Sequence, residues 1–254
     1  SMNHPATKHS FWGDKSINSK EFDLQYFRGD NLFLWQFRSV GSNAHLKYML
    51  YTYYIQNIDK MGLLNKLNED DLFGVYVFDF NNKYKISRDL LDSISEIYFL
   101  EDQLHISQIE ALNILDIGAG YGRLAYRLTS VFTENVNNYF CVDAIAESTF
   151  LCDFYLKFRH ADKNHAYSIP LFDIENILDK NKINIAINIH SFTECTYSVI
   201  KWWLELVRKN NIKYLFIIPN PNPENKLLSV EENGERVDFE PLIESFGYKL
   251  KIRK

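Results

Sequence analysis

Three glycines separated by single residues, Gly118, Gly120 and Gly122, follow directly on an apolar run that carries one acid, Asp116. Leu124, Leu128 and Phe132 then recur at helical spacing. Glycine turns sharply where other residues cannot and lets the backbone approach a ligand, and the helix that follows offers its N-terminal amides. The run therefore predicts a strand, a tight turn and a helix, the opening unit of an α/β domain. A dinucleotide fold spaces its glycines Gly-x-Gly-x-x-Gly to seat a diphosphate. Here the third glycine comes one residue early and an acid stands two residues before the first. A carboxylate at that place suits a ligand with an ammonium group better than a diphosphate.

From about residue 109 onward, short apolar runs at 112–117, 139–142, 167–171, 183–189 and 214–218 alternate with helical patterns. Those patterns are Leu124, Leu128 and Phe132; Phe150, Leu151, Phe154, Tyr155 and Phe158; and Val199, Ile200, Trp203, Leu204 and Val207. Near-continuous apolar strands separated by helices predict a mostly parallel, Rossmann-like sheet with helices on both faces. A last run at 248–252 is the candidate for a sixth strand.

Residues 1–108 read differently, as a mainly helical extension with one hairpin, so the expected division is a cap region over 1–108 and a ligand-binding domain over 109–254. Leu46, Leu50, Tyr53, Tyr54 and Ile58 predict a helix with its apolar face on those residues and a stop at Gly62. Residues 75–80 and 83–86 flank Asn81 and Asn82, which tolerate positive φ, and predict a hairpin. Ser87 is placed to cap a helix whose apolar face is Leu90, Leu91, Ile94, Ile97 and Tyr98.

Asp143 ends the second sheet strand, 21 residues after Gly122. A carboxylate there can accept two hydrogen bonds from a ribose diol; taken alone it would serve as a helix N-cap. The fourth strand runs into His190, which puts an imidazole at the carboxyl end of a central strand, where open α/β sheets hold their ligands. Histidine takes a proton near neutral pH, so His190 is the candidate catalytic base; the alternative is a core histidine tied to a backbone carbonyl. Glu194 can orient His190, meet an ammonium or begin a helix. Ala119, Arg123, Ala144 and Ile189 flank these groups and complete the candidate site. The proline-spaced stretch 219–224 reads first as a rigid connector and second as an edge of the site. Trp203 reads as core, while Trp12 and Trp35 are open to core or stacking roles.

The balance of 28 basic and 33 acidic residues gives a formal charge of −5, with no basic cluster. Affinity for phosphate backbones comes mainly from basic side chains, so nucleic acid is disfavoured as a partner. Cys141, Cys152 and Cys195 lack metal-ligand spacing and read as reduced thiols of a cytoplasmic protein; no Asp/Glu/His cluster argues for a metal. No apolar stretch approaches membrane length and no secretory leader is visible, so membrane insertion is not expected. Ser1 ahead of Met2 reads as a scar of tag removal. The oligomeric state is open.

With Asp116 to Arg123, Asp143 and the segment from His190 to Glu194 in place, the chain resembles the bacterial sugar O-methyltransferases found with genes for surface polysaccharides. Ile86 to Asp89, Gly120 to Ala125 and Cys141 to Asp143 belong to the same resemblance, which extends over most of the chain. It implies a class I methyltransferase sheet and S-adenosylmethionine as cofactor, bound by Asp116, Gly118, Ala119, Gly120, Gly122, Arg123, Asp143, Ala144 and Ile189. It implies that Asp173 receives the adenine amino group with Phe172 or Ile174 against the ring, an N-cap role for Asp173 being the equal alternative. The implied reaction is methyl transfer to a hydroxyl of a sugar or polysaccharide precursor. A non-sugar acceptor (an amine, a phosphoramidate-type decoration or a small metabolite) and a non-catalytic partner subunit are the other readings. Family members continue past the position of Lys254, which implies a further C-terminal segment.

Overall fold

The structure, a computed structural model, describes residues 4–7, 24–29 and 43–253. Trp12 and Trp35 lie outside them. Asn43 opens helix α1 (Ala44–Ile58) by accepting a hydrogen bond from the amide of Leu46 at 3.0 Å. The helix stands where the spacing places it, but on another face. Ala44, Tyr48, Thr52 and Ile55 are buried, whereas Leu46, Leu50, Tyr53 and Tyr54 are exposed. Apolar residues surround this helix, so periodicity alone does not phase it; Tyr48 marks the buried face by stacking on Phe78 at 5.5 Å. The expected stop also moves. The helix ends at Ile58, and the carboxylate of Asp59 accepts from the amides of Leu63 and Leu64 to start the short α2 (Leu63–Lys66).

The hairpin forms as β1 (Phe78–Phe80) and β2 (Tyr84–Ile86), shorter than the apolar runs, with Asn81 and Asn82 both at φ +53°. Ser87 then caps α3 (Arg88–Leu104), its side chain accepting from the amide of Leu90 at 2.9 Å. The expected face of α3 is buried from Leu90 to Tyr98.

The remaining runs become β3 (Leu112–Ile117), β4 (Val136–Val142), β5 (Ala166–Ile169), β6 (Ile185–Ile189) and β7 (Tyr214–Ile218). They lie in the order β5-β4-β3-β6-β7, and every pairing is parallel. This is the Rossmann-like sheet the sequence predicts, with its topological switch point between β3 and β6. Around it stand α4 (Arg123–Val131), α5 (Ala146–Phe158), α6 (Ile174–Lys180), α7 (Tyr197–Lys209) and α8 (Glu240–Ser245). One apolar core joins α1, the hairpin and α3 to α4 and one side of the sheet; a second lies beneath α6 and α7.

The sixth strand is absent among the described residues. Tyr248 donates through its hydroxyl to the carbonyl of Ile212 at 2.6 Å, and Lys251 through its ammonium to the carbonyl of Gln103 at 2.6 Å. These side-chain bonds replace a strand ladder, which leaves β7 as the sheet edge.

Candidate functional site

A cavity opens at the carboxyl ends of β3, β4 and β6, on both sides of the switch point. The register explains the convergence: Asp116 lies opposite Cys141 of β4 and Ile187 of β6, so the strands release their loops at one level. Gly118 sits at φ +75°, and a Cβ there would come within 2.1 Å of the Ser191 hydroxyl. The closeness is built in. Asn188 donates its amide to the carbonyl of Ile117 at 2.8 Å and to Ser191 Oγ at 2.6 Å, which clamps the end of β6 to the glycine loop.

Asp116 is buried, and its Oδ2 accepts from the hydroxyl of Tyr139 on β4 at 2.8 Å. Burial pushes its carboxyl up to about 7 against the opposing pull of Tyr139 and Arg123. Asp143 closes over the loop: Oδ2 accepts from the amide of Gly120 at 3.2 Å and Oδ1 from that of Ile145 at 2.9 Å. Burial raises Asp143 to about 6, and nearby Glu194 adds to the rise. The loop amide that a phosphate would seek is thus already held by a carboxylate. Such a loop fits a cationic, hydroxyl-bearing ligand better than a diphosphate.

His190 ends β6 at φ +67° and ψ −37°, a conformation rarely adopted by residues with a side chain. Its backbone explains the constraint: the amide donates to the carbonyl of Ile218 at 2.7 Å, and its carbonyl accepts from the amide and the hydroxyl of Thr193. The imidazole lines the cavity and makes no hydrogen bond with the described residues. Burial, aided by the charge of Arg123, lowers it to about 4, so it is neutral at neutral pH and a weaker base than an ordinary histidine. Glu194 also lines the cavity and accepts from the side chain of Asn220 at 2.9 Å, which brings the loop after β7 up behind the site.

Helix α3 grips the glycine loop. Asp89 accepts from the hydroxyl of Tyr121 at 2.7 Å, while Arg123 donates to both carboxylate oxygens of Glu96 at 2.9 and 2.8 Å and to Ser93 at 2.9 Å. Behind this grip lies a buried ionic network in which Asp89 pairs with Arg28 at 2.7 Å and Arg127 at 3.1 Å, and Glu69 pairs with both arginines. Burial works against the charge of Asp89, but Arg127, Arg28 and Arg123 outweigh it and hold the carboxyl well below its ordinary range.

Of the residues singled out in the sequence, Asp116, Gly118, Ala119, Gly120, Arg123, Asp143, Ala144, Ile189 and His190 line this one cavity. Gly122 does not line it; a Cβ there would meet Cys152 Sγ at 3.0 Å, so the missing side chain lets α4 and α5 approach closely. Phe172 and Asp173 are not brought to the cavity: they occupy the turn Leu171–Asp173, where Phe172 is 75% exposed and the side chain of Asp173 makes no cap bond to α6. Trp203 is core, as its spacing predicts, and also touches the cavity. Two residues escape the sequence reading. Tyr139 looks like any strand residue, and Asp92 of α3, which lines the cavity, looks like half of a solvated i,i+4 pair with Arg88. Among the described residues no group of acids, histidines or cysteines could hold a metal, and no helix is long and apolar enough to cross a membrane.

No family model matches the chain, and no curated protein matches it. Among solved structures it is similar to the precorrin-6y C5,15-methyltransferase of Geobacter metallireducens GS-15, with 13% identity over 56% of this chain and 62% of that one and a TM-score of 0.37. It is similar to a SAM dependent methyltransferase of Aquifex aeolicus, with 18% identity over 51% of this chain and 78% of that one and a TM-score of 0.38. It is also similar to an O-methyltransferase family protein of Burkholderia thailandensis, with 8% identity over 72% of this chain and 56% of that one and a TM-score of 0.35. The chain spans less than two thirds of the length of the Geobacter and Burkholderia proteins. At such scores, function has to be argued from the site itself.

Proposed function

We propose that the chain is an S-adenosylmethionine-dependent methyltransferase that methylates a hydroxyl of a sugar or surface-polysaccharide precursor in the cytoplasm. One observation carries the reading: a neutral imidazole without a hydrogen-bond partner among the described residues shares a cavity with the glycine loop and two buried carboxyls. The donor set fits the cofactor. Asp116 offers a carboxyl to its ammonium, the turn at Gly118 and Gly120 lets the backbone lie against its amino-acid end, and Asp143 has lone pairs left for the ribose hydroxyls. The sugar acceptor rests on the sequence resemblance, and the charge of −5 speaks against nucleic acid.

When bound, S-adenosylmethionine supplies a methyl group already activated by its sulfonium. Asp116, the glycine turn and Asp143 would hold the cofactor with that methyl carbon offered to the acceptor oxygen, its sulfur keeping the electron pair of the broken carbon–sulfur bond. His190 takes the hydroxyl proton on a ring nitrogen and returns it to water. The remaining contribution of the site is alignment and exclusion of water.

Calorimetry with S-adenosylmethionine, S-adenosylhomocysteine and NAD tests the cofactor, and mass spectrometry after incubation with S-adenosylmethionine and a pool of sugars tests the transfer. Tight NAD binding without binding of either sulfur ligand would overturn the proposal.

A further inference from the structure

The charged side chains lining the cavity among the described residues are Asp92, Asp116, Asp143, Glu194 and Arg123. The single cation is committed, since both guanidinium nitrogens of Arg123 are bonded to Glu96. Asp116 and Asp143 belong to the glycine-loop end. Asp92 stands beside His190, while Glu194 is held by Asn220. Asp92 is the one lining residue contributed by α3; its Oδ2 accepts from Arg88 Nε at 3.2 Å, and both charges reach the His190 imidazole, Asp92 favouring its protonation and Arg88 opposing it. A second neighbour closes the group: burial, followed by the charge of Asp92, raises the hydroxyl of Tyr51.

Recognition of a phosphate calls for arginine or lysine donors or for open backbone amides. Here the acceptor end presents carboxylates and a neutral imidazole, and like charges facing one another across a cavity oppose binding. Carboxylates can accept hydrogen bonds from hydroxyls, and a polyol supplies several at once.

We propose that the acceptor enters as an uncharged, hydroxyl-bearing molecule, and that Asp92 binds it by accepting a hydrogen bond from one hydroxyl while a neighbouring hydroxyl faces His190. The inference rests on the methyltransferase reading and deepens it: the sugar is a free or glycosidically linked one, not a sugar phosphate or a nucleotide-linked sugar. Arg88 fixes the Asp92 carboxylate by the i,i+4 pair and so acts as a positioning residue.

The test offers the whole protein and S-adenosylmethionine two matched sets of acceptors, methyl hexosides and hexose 1-phosphates, and follows the gain of one methyl group by mass spectrometry. Calorimetry with S-adenosylhomocysteine runs alongside on wild type and on Asp92→Asn. The expected result is transfer to methyl hexosides with a kcat/KM about tenfold or more above that for the phosphates. In Asp92→Asn the KM for the hexosides should rise about tenfold, the effect of one charge-assisted hydrogen bond, while S-adenosylhomocysteine binds as in wild type. Equal or faster transfer to the phosphates, or an unchanged KM in Asp92→Asn, overturns the proposal. Transfer to neither set with S-adenosylhomocysteine still bound overturns it together with the sugar reading. Failure of the wild type to bind S-adenosylhomocysteine removes the methyltransferase reading and this inference with it.

Discussion

The hydroxyl of Tyr139 on β4 donates across 2.8 Å to Oδ2 of Asp116 on β3, and both side chains are buried. This bond favours the charged carboxylate, and so does Arg123, while burial, Glu96 and Asp143 oppose it and leave the group at about 7. A ligand ammonium would tip the balance toward the charge. Binding of S-adenosylhomocysteine near pH 6.5 should therefore release protons, and the release should vanish by about pH 9. Calorimetry in buffers of different ionisation enthalpy reads this directly; a proton count independent of pH sinks the assignment. In Tyr139→Phe the charged form loses its donor, so affinity at pH 7 should fall and its pH profile move to higher pH. The same raised pKa acts on stability: the contribution of Asp116 should fall as pH rises from about 4 through about 7, read as the difference between wild type and Asp116→Asn.

Asp143→Ala removes the acceptor for the amides of Gly120 and Ile145 as well as the proposed ribose ligand. Affinity for S-adenosylhomocysteine should weaken by about 1–3 kcal/mol, the usual cost of charge-assisted hydrogen bonds. An affinity equal to wild type would leave Asp143 with a purely structural part.

His190→Ala and His190→Asn should each lower kcat by about 10²–10⁴, the usual worth of a general base, with cofactor affinity nearly unchanged. Because His190 lies at φ +67°, His190→Gly should be equally inactive yet more stable than the alanine variant by about 1 kcal/mol. With S-adenosylmethionine saturating, so that Asp116 and Asp143 do not limit it, the wild-type kcat should stay flat from pH 8 to about 5 and decline as pH falls through about 4. Depression of the imidazole below 6.5 gives stability that is present above that value and lost as pH falls toward 4. A rate that instead declines through pH 6.5 would place the base elsewhere.

Arg127→Met should destabilise the fold by about 3–5 kcal/mol in chemical denaturation, because it leaves the buried Asp89 and Glu69 to share Arg28 in place of two buried arginines. The exposed pair Lys157–Asp153 provides the contrast; Lys157→Ala should change stability by less than about 0.5 kcal/mol. Equal effects from the two variants would mean the buried network contributes no more than a surface pair.

What the sequence discloses here is local. The strand, glycine turn and helix from Leu112 to Val131 follow from residues adjacent in the chain, as does the Ser87 cap. The placement of His190 at a strand end is legible for the same reason. Its φ is not, since nothing in the residue's identity announces a positive value. The face of α1 is hidden because apolar residues occur on every side of it, and only packing against α3 and the hairpin region, Tyr48 on Phe78 and Tyr76 included, selects one. Asp92, Tyr139 and the pairing of Arg28 with Asp89 are hidden because their meaning lies in partners far away in the chain.

Helix α3 holds the glycine loop through Asp89, Ser93 and Glu96 and presents Asp92 to the cavity between them. One helix thus touches both ends of the cavity. Were a cofactor to draw the loop tighter, the strain would pass along α3 to the Asp92 carboxylate. Thermodynamic reciprocity then requires the acceptor to strengthen cofactor binding by the same factor. The two molecules need not touch for each to sense the other.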